Sequence, residues 1–334
     1  MMGKQLQHFG EIAWLRRVRR WFGGDDPRLV LGIGDDAAAI EVGRGPVVAT
    51  ADALIEGVHF RRDWIGARDL GRKALAVNVS DLAAMGARPV AALLTLSVPA
   101  NAAADELRAF FMGLREGARR WDCPLAGGDL TRAPQWTISI TALGVPAVRR
   151  AGKPVLARRS QARPGQHLYV TGRPGESGAG LLALSRGIGA PQLIARHNRP
   201  EPRIEEGAVL ARICPDLAML DVSDGIWCDS GRIAGASGCA IRIEAAALPI
   251  SAAVGAFCRR AGIDPLEPVL FGGEDYELMF CTAKPEETIR RAFERAGIKT
   301  AVTRIGRVAA GKGRFLIDVS GRRMKTADRT FRHF

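Results

Sequence analysis

Along the chain, short β-rich runs, mostly apolar, take turns with longer alanine-rich stretches in which apolar residues recur every three or four positions. The first pattern predicts strands at 28–33, 46–50, 90–98 and 136–144. The second predicts helices. Over 69–85, Leu70, Ala74, Val77, Asp81 and Met85 fall on one stripe, and Gly86 and Pro89 stop the helix. Over 103–120, acids sit in the first turn and arginines in the last. Residues 146–165 carry three prolines, two glycines and six basic residues with no acid, the best domain boundary in the chain. Past it come a strand at 167–171, a glycine-rich loop, helices, and strands near 240–243 and 277–281 that read as a pair. The fold class is therefore α/β (α+β), with domains at 1–148 and 149–334.

With 334 residues, 47% hydrophobic and 25% charged, the chain has enough apolar surface to bury, which excludes intrinsic disorder. A membrane span is not expected, because the most apolar stretch, 90–100, is interrupted by Thr95, Ser97 and Pro99. The basic N-terminus lacks an apolar segment behind it, so no signal peptide is expected and the chain reads as cytoplasmic. Six cysteines form no CxxC pair and five histidines no HExxH. The thiols read as reduced and mostly buried, and any metal as held by oxygen. The net charge of +13 gathers at Arg16, Arg17, Arg19 and Arg20, at 149–163, and in the last thirty residues. A basic surface on an enzyme of anionic metabolites accounts for it better than nucleic-acid binding, since there are two tyrosines and no nucleic-acid module.

Several aspartates stand where a strand or helix meets a small-residue turn: Asp35 and Asp36 in GIGDDAA, Asp52 in ATADAL, Asp81 in NVSDLAAMGA, and Asp129 in LAGGDLT. Asp221 and Asp224 follow in MLDVSDGI, then Glu274 and Asp275 in FGGEDYEL. Each alone reads as a turn or cap residue. Together, flanked by apolar residues and with no lysine or arginine nearby in sequence, they would repel one another unless divalent cations lay among them. Hard oxygen ligands imply Mg²⁺ or Mn²⁺ and a phosphorylated substrate. The GxGxxA match at 32–37 does not read as a dinucleotide fingerprint, because two carboxylates occupy the turn a pyrophosphate would approach. No P-loop occurs. The glycines between Val170 and Gly180 fit an anion at a helix N-terminus or a plain turn equally well.

Read in order, GIGDDAAAI, ATADALIEGVHF, KALAVNVSDLAAMGARP, LAGGDLTR, RRSQARPG, YVTGRPGESGAG, MLDVSDGI, FGGEDYEL and the closing FRHF resemble the thiamine-monophosphate kinase family, within the superfamily typified by aminoimidazole ribonucleotide synthetase. The resemblance covers almost the whole chain, and EGVHF with the terminal aromatic-x-His-Phe is its most specific part. It implies an N-terminal α/β domain whose sheet pairs across a homodimer, and a C-terminal α/β domain. It implies Asp35, Asp52, Asp81, Asp129, Asp221 and Asp224 as metal ligands with the Thr50 hydroxyl. Asp35, Gly128, Arg159 and Ser223 would face ATP, and His59, Glu274 and Phe331 the thiamine. The expected partners are ATP and thiamine monophosphate, with several Mg²⁺ ions and neither nucleic acid nor membrane. Ala51, Leu130, Gln161 and Gln166 depart from the family pattern. The chemistry suits the acids: a phosphate monoester is already anionic at neutral pH, so no general base is needed. The obstacle is repulsion, about 4 kcal/mol for two unit charges 4 Å apart at an effective dielectric of 20. The alternatives are another ATP-dependent synthetase or cycloligase of the superfamily and, in a different class, a basic nucleic-acid-binding protein.

Overall fold

Residues 11–22, 26–31 and 39–326 are described by the computed structural model. They divide into two units, the first running to Leu82 and resuming over Arg88–Pro146, the second taking Ala83–Ala87 and everything from Ala147 onward. Asp35 and Phe331 lie outside the described residues, as does the 32–37 turn.

The first unit opens with helix α1 (Glu11–Phe22) and the short pair β1 (Leu29–Leu31) and β2 (Ala39–Ile40). Then come β3 (Val48–Ile55), α2 (Ala67–Ala84), β4 (Ala87–Val98), α3 (Ala104–Arg120), β5 (Leu125–Arg132) and β6 (Thr137–Pro146). Four of these strands make one sheet in the order β3-β6-β4-β5. β3 and β6 are antiparallel, whereas β4 and β5 are parallel and need a crossover, which α3 supplies. Leu107, Phe110, Phe111 and Leu114 give α3 its buried stripe. α2 departs from the single stripe read from its sequence. From Leu70 to Ala84 it is buried almost all round, including Lys73, Asn78 and Ser80. Its small residues allow this: a Cβ on Gly71 would lie 2.0 Å from the Phe110 carbonyl oxygen, and one on Gly113 would lie 1.7 Å from that of Arg68. The two helices thus touch backbone to backbone.

The second unit contains β7 (Val148–Arg150), β8 (Lys153–Val155), β9 (His167–Thr171), α4 (Glu176–Arg186), α5 (Pro191–Asn198), α6 (Ile204–Ile213), β10 (Ala218–Asp221) and α7 (Ile226–Ser237). It continues with β11 (Ala240–Glu244), α8 (Ala252–Ala261), α9 (Leu266–Phe271), β12 (Leu278–Thr282), α10 (Glu286–Arg295), β13 (Val302–Ala309), β14 (Gly313–Ile317) and β15 (Arg323–Met324). Its sheet runs β10-β12-β9-β13-β11-β14-β15. The strands expected as a pair, β11 and β12, are not neighbours; β9 and β13 lie between them. Alternate residues of β9 and β12 enter two cores. Leu168, Val170, Met279 and Cys281 pack with Ile226 and Ile233 of α7, and Tyr169, Leu278 and Phe280 pack with Leu210, Ile289 and Phe293 of α6 and α10. Strands covered on both faces read as continuous apolar runs, which is why they were visible in the sequence.

Residues 83–87, the link from α2 to β4, are tied into this second unit by backbone. Gly86 O accepts from Ala147 N at 3.0 Å and Met85 O from Ala157 N at 3.1 Å. Gly207 of α6 fits against them because a Cβ there would meet Ala83 O at 2.2 Å. All six cysteines are free thiols, five buried and Cys228 half-buried. Among the described residues, no helix is long and apolar enough to cross a membrane.

Candidate functional site

On the edge strand β3 the pleat turns Thr50, Asp52 and Leu54 to one face and Ala51 and Ala53 to the other. The missing hydroxyl at Ala51 therefore faces away from the Thr50–Asp52 side. α2 meets this edge: the Thr50 hydroxyl donates to Asp81 Oδ2 at 2.6 Å, and the Asp52 amide donates to Asn78 Oδ1 at 3.0 Å. Asn78 is held in turn by donating to Ala74 O at 3.1 Å. Surrounding protein, and then the Asp81 carboxylate, push Asp52 up to about 6 although its side chain still meets solvent. Two carboxylates and a hydroxyl gathered in this way form a donor set of oxygen alone. Just past the strand, His59 Nδ1 accepts from the Ile55 amide at 3.1 Å, which leaves the proton of the neutral ring on Nε2.

Asp129 is not gathered with these groups. It is exposed on β5, the opposite edge, with β6 and β4 between, three strand spacings or about 14 Å at 4.8 Å each. Gly128 beside it has φ +147°, and a Cβ there would lie 1.8 Å from Leu94 O, so only glycine fits.

In the second unit, β10 delivers Asp221, buried, to the mouth of a loop that continues alongside the FGGEDYEL turn. Val222 N donates to Glu277 O at 2.7 Å, Tyr276 N to Val222 O at 3.0 Å, and Glu274 N to Ser223 O at 2.8 Å. Beyond the loop, Arg232 of α7 grips two acids, Asp224 and, at 2.6 Å, Asp229. Asp229 Oδ2 also accepts from the Asp224 amide at 3.0 Å. The expectation that no arginine neutralises these aspartates is thus corrected at Asp224. Burial pushes Asp229 up to about 7 against the opposing pull of Arg232. Asp224, Cys228 and Asp229 bring ligand atoms within 4.8 Å of one another, so a soft sulfur donor joins the oxygens expected there. Arg159 is exposed beside α7, its carbonyl accepting from Ser237 Oγ at 2.7 Å, and its charge reaches Asp229. The Asp229–Arg232 pairing had a local signal, their i,i+3 spacing on a helix.

The glycine-rich loop before α4 is already occupied by a carboxyl group of the protein. The Asp275 carboxylate accepts from the amides of Gly175 at 2.7 Å and Ser177 at 3.1 Å, at the helix N-terminus. Burial, outweighing these bonds, still raises Asp275 to about 8. Next to it, Glu274 Oε2 lies 3.3 Å from His197 Nδ1, and that nitrogen lies 3.1 Å from Ser177 Oγ. Glu277 is almost fully buried; burial works to raise it, but Arg203, Thr171 and Arg196 together hold it below the usual carboxylate range. Arg203 grips it with Nε at 2.6 Å and Nη2 at 2.5 Å, and the Thr171 hydroxyl donates at 2.8 Å. None of these partners is close in sequence, and no sequence signal announced them.

Residues 34–146 match the AIR synthase related protein N-terminal domain and residues 163–319 its C-terminal domain. The chain is 40% identical to the thiamine-monophosphate kinase of Mycobacterium tuberculosis over 316 residues, 94% of this chain and 89% of that one. The crystal structure of thiamine-monophosphate kinase from Stenotrophomonas maltophilia superposes with a TM-score of 0.79 at 37% identity, covering 92% of this chain and 96% of that one. A structure of AaThiL complexed with AMPPCP and TMP gives a TM-score of 0.75 at 30% identity and covers 100% of both chains.

Proposed function

We infer that the chain transfers the γ-phosphoryl group of ATP to the phosphate of thiamine monophosphate, releasing ADP, because it belongs to the thiamine-monophosphate kinase family. The observation that carries this reading is the full-length similarity to AaThiL, whose complex holds AMPPCP, an ATP analogue, together with TMP. Thr50, Asp52 and Asp81 fit a hard divalent cation, since their donors are all oxygen and the Asp81 carboxylate adds to burial in raising the proton affinity of Asp52. They would hold Mg²⁺, and Asp35, Asp129, Asp221 and Asp224 are proposed as ligands of further ions. When bound, Mg²⁺ supplies charge neutralisation between the two polyanions and polarises the transferred group.

The protein's own groups do the rest. Gly128 and Ser223 face the nucleotide, and Arg159 offers a fixed positive charge to its phosphates. The acceptor phosphate attacks as an anion and asks for no base. Glu274 sets a negative charge toward the cationic thiamine and His59 offers its Nε2 proton; for Phe331 the family resemblance implies a cation–π contact with the thiazolium, which would be worth about 0.5–2 kcal/mol. With ATP as donor, we assign the reaction to the cytoplasm. The decisive test is incubation with Mg-ATP and thiamine monophosphate followed by phosphorus NMR. Thiamine diphosphate and ADP in equal amounts support the reading; free phosphate released in step with ADP points to a synthetase.

Removing metal with EDTA should abolish turnover, and Mg²⁺ or Mn²⁺ should restore it where Zn²⁺ does so poorly. Because a cation must displace the Asp52 proton, the Mg²⁺ concentration for half-maximal rate should rise about tenfold from pH 7.5 to pH 5. The sign for stability is the reverse of an ordinary aspartate. With the folded value raised from 3.8 to about 6, metal-free protein loses stability as pH climbs through that window, and Mg²⁺ offsets the loss. A thermal melt with and without Mg²⁺ at the two pH values checks both.

We also propose a homodimer paired through the first unit's sheet. What supports it is the edge strand β3, which exposes Ala49, Ala51 and Ala53, an arrangement open to pairing with another chain. Sedimentation should give about twice 35.8 kDa, and a stable monomer at micromolar concentration would contradict it.

A further inference from the structure

Glu274 has φ +53° and Tyr276, two residues on, φ +52°, a region that side-chain-bearing residues adopt at a cost. The loop is pinned there from several sides. The Glu274 and Tyr276 amides donate to Ser223 O and Val222 O, and between them the Asp275 carboxylate is fastened to the start of α4. With its backbone fixed, the Glu274 side chain runs past a buried pair: His197 is 5% exposed and Ser177 2%, while Glu274's own side chain remains 23% exposed. An ionised carboxylate can only accept, so its approach to 3.3 Å selects the imidazole tautomer with the proton on Nδ1. The Ser177 oxygen 3.1 Å away shares that proton and steadies the ring.

We propose that His197, backed by Ser177, is a positioning residue that aims the Glu274 carboxylate at the cationic part of thiamine monophosphate. This rests on the thiamine-side role given to Glu274 above. Nothing in it involves the phosphates, so its loss should be felt by one substrate and not the other. Preorganisation of this kind comes from a buried partner holding a group that itself touches the ligand.

Initial rates with each substrate varied in turn provide the test. His197→Leu removes the donor and should raise KM for thiamine monophosphate about tenfold, with KM for ATP unchanged and kcat within about threefold. His197→Asn keeps an amide N–H near the Nδ1 position and should return KM to within about threefold of wild type. His197→Leu combined with Glu274→Gln should be no worse than Glu274→Gln alone, because the two side chains act as one. Equal losses in the Leu and Asn variants, additive losses in the double variant, or KM for ATP rising in step would overturn the proposal. Should His197→Leu not fold, Ser177→Ala and His197→Gln carry the test, the latter placing its amide one methylene too far. Both should raise KM for thiamine monophosphate, and wild-type values in both would equally overturn it. A wild-type protein that makes no thiamine diphosphate would instead remove the role of Glu274 itself, a result visible before any variant is measured.

Discussion

Asp52→Asn and Asp221→Asn are each expected to lower turnover by at least about a hundredfold, equivalent to about 2.7 kcal/mol of transition-state stabilisation. The two residues stand in different units, on β3 and at the end of β10, so neither is the other's local partner. Asparagine preserves shape and much of the hydrogen bonding; only the charge is lost. Were these aspartates simple turn residues, the variants would retain near-normal rates. If they bind cations that bridge the phosphates, circular dichroism should show an intact fold while Mg²⁺-dependent stabilisation in a thermal melt shrinks. Folded variants with near-wild-type turnover would defeat the reading.

The largest stability effect is expected at Arg203→Leu. Glu277 is 1% exposed, and Arg203 is its principal counter-ion. Removing Arg203 leaves the buried charge to Arg196 and the Thr171 hydroxyl, which puts the cost toward the lower end of the about 3–5 kcal/mol for breaking a buried pair. For a unit of this size the melting temperature should fall by about 10 °C. The pH response gives an independent check. Burial works against the charged form of Glu277, but Arg203 leads the interactions that hold it below 4.5. Its folded value lies under its unfolded one, so the pair stabilises the protein at neutral pH and that contribution is lost as pH falls below about 4.5. In the Arg203→Leu variant this acid-side loss should flatten or reverse. Adding Glu277→Leu should recover part of the stability, and only part, since Thr171 and Arg196 then lose their acceptor.

How much of this was legible beforehand depended on distance along the chain. The sequence predicts β9 at its observed limits, and α2, α3 and β6 to within two residues, because periodicity and stop signals are local. The acid-bearing turns, too, were visible as short motifs. The burial of α2 on all sides was not, since alanine is neutral enough to face either way and only Gly71 against Phe110 shows how closely α3 approaches. Sheet order was equally hidden: β11 and β12 look alike in sequence, and which strands slip between them is decided by long-range packing. At the site, Arg232 carries no local signal toward Asp224, because it acts from eight residues away, one helix turn beyond the acid it also serves. His197 is 77 residues from Glu274, and Arg203 is 74 from Glu277. No window along the chain joins such pairs.

The small loan of residues 83–87 to the second unit bears on how proteins of this architecture can be recombined. A cut at residue 146 looks clean on the linear map, yet the second fragment leaves without the carbonyls that Ala147 and Ala157 bond and without the backbone against which Gly207 is fitted. A single-crossover chimera carrying another protein's first half would import that protein's counterpart of 83–87 into the recipient's second unit. Five residues would then have to match a host they were not selected with. Viable hybrids should therefore be those in which this stretch travels with the second half, so that exchange takes two additional crossovers within a span of five codons.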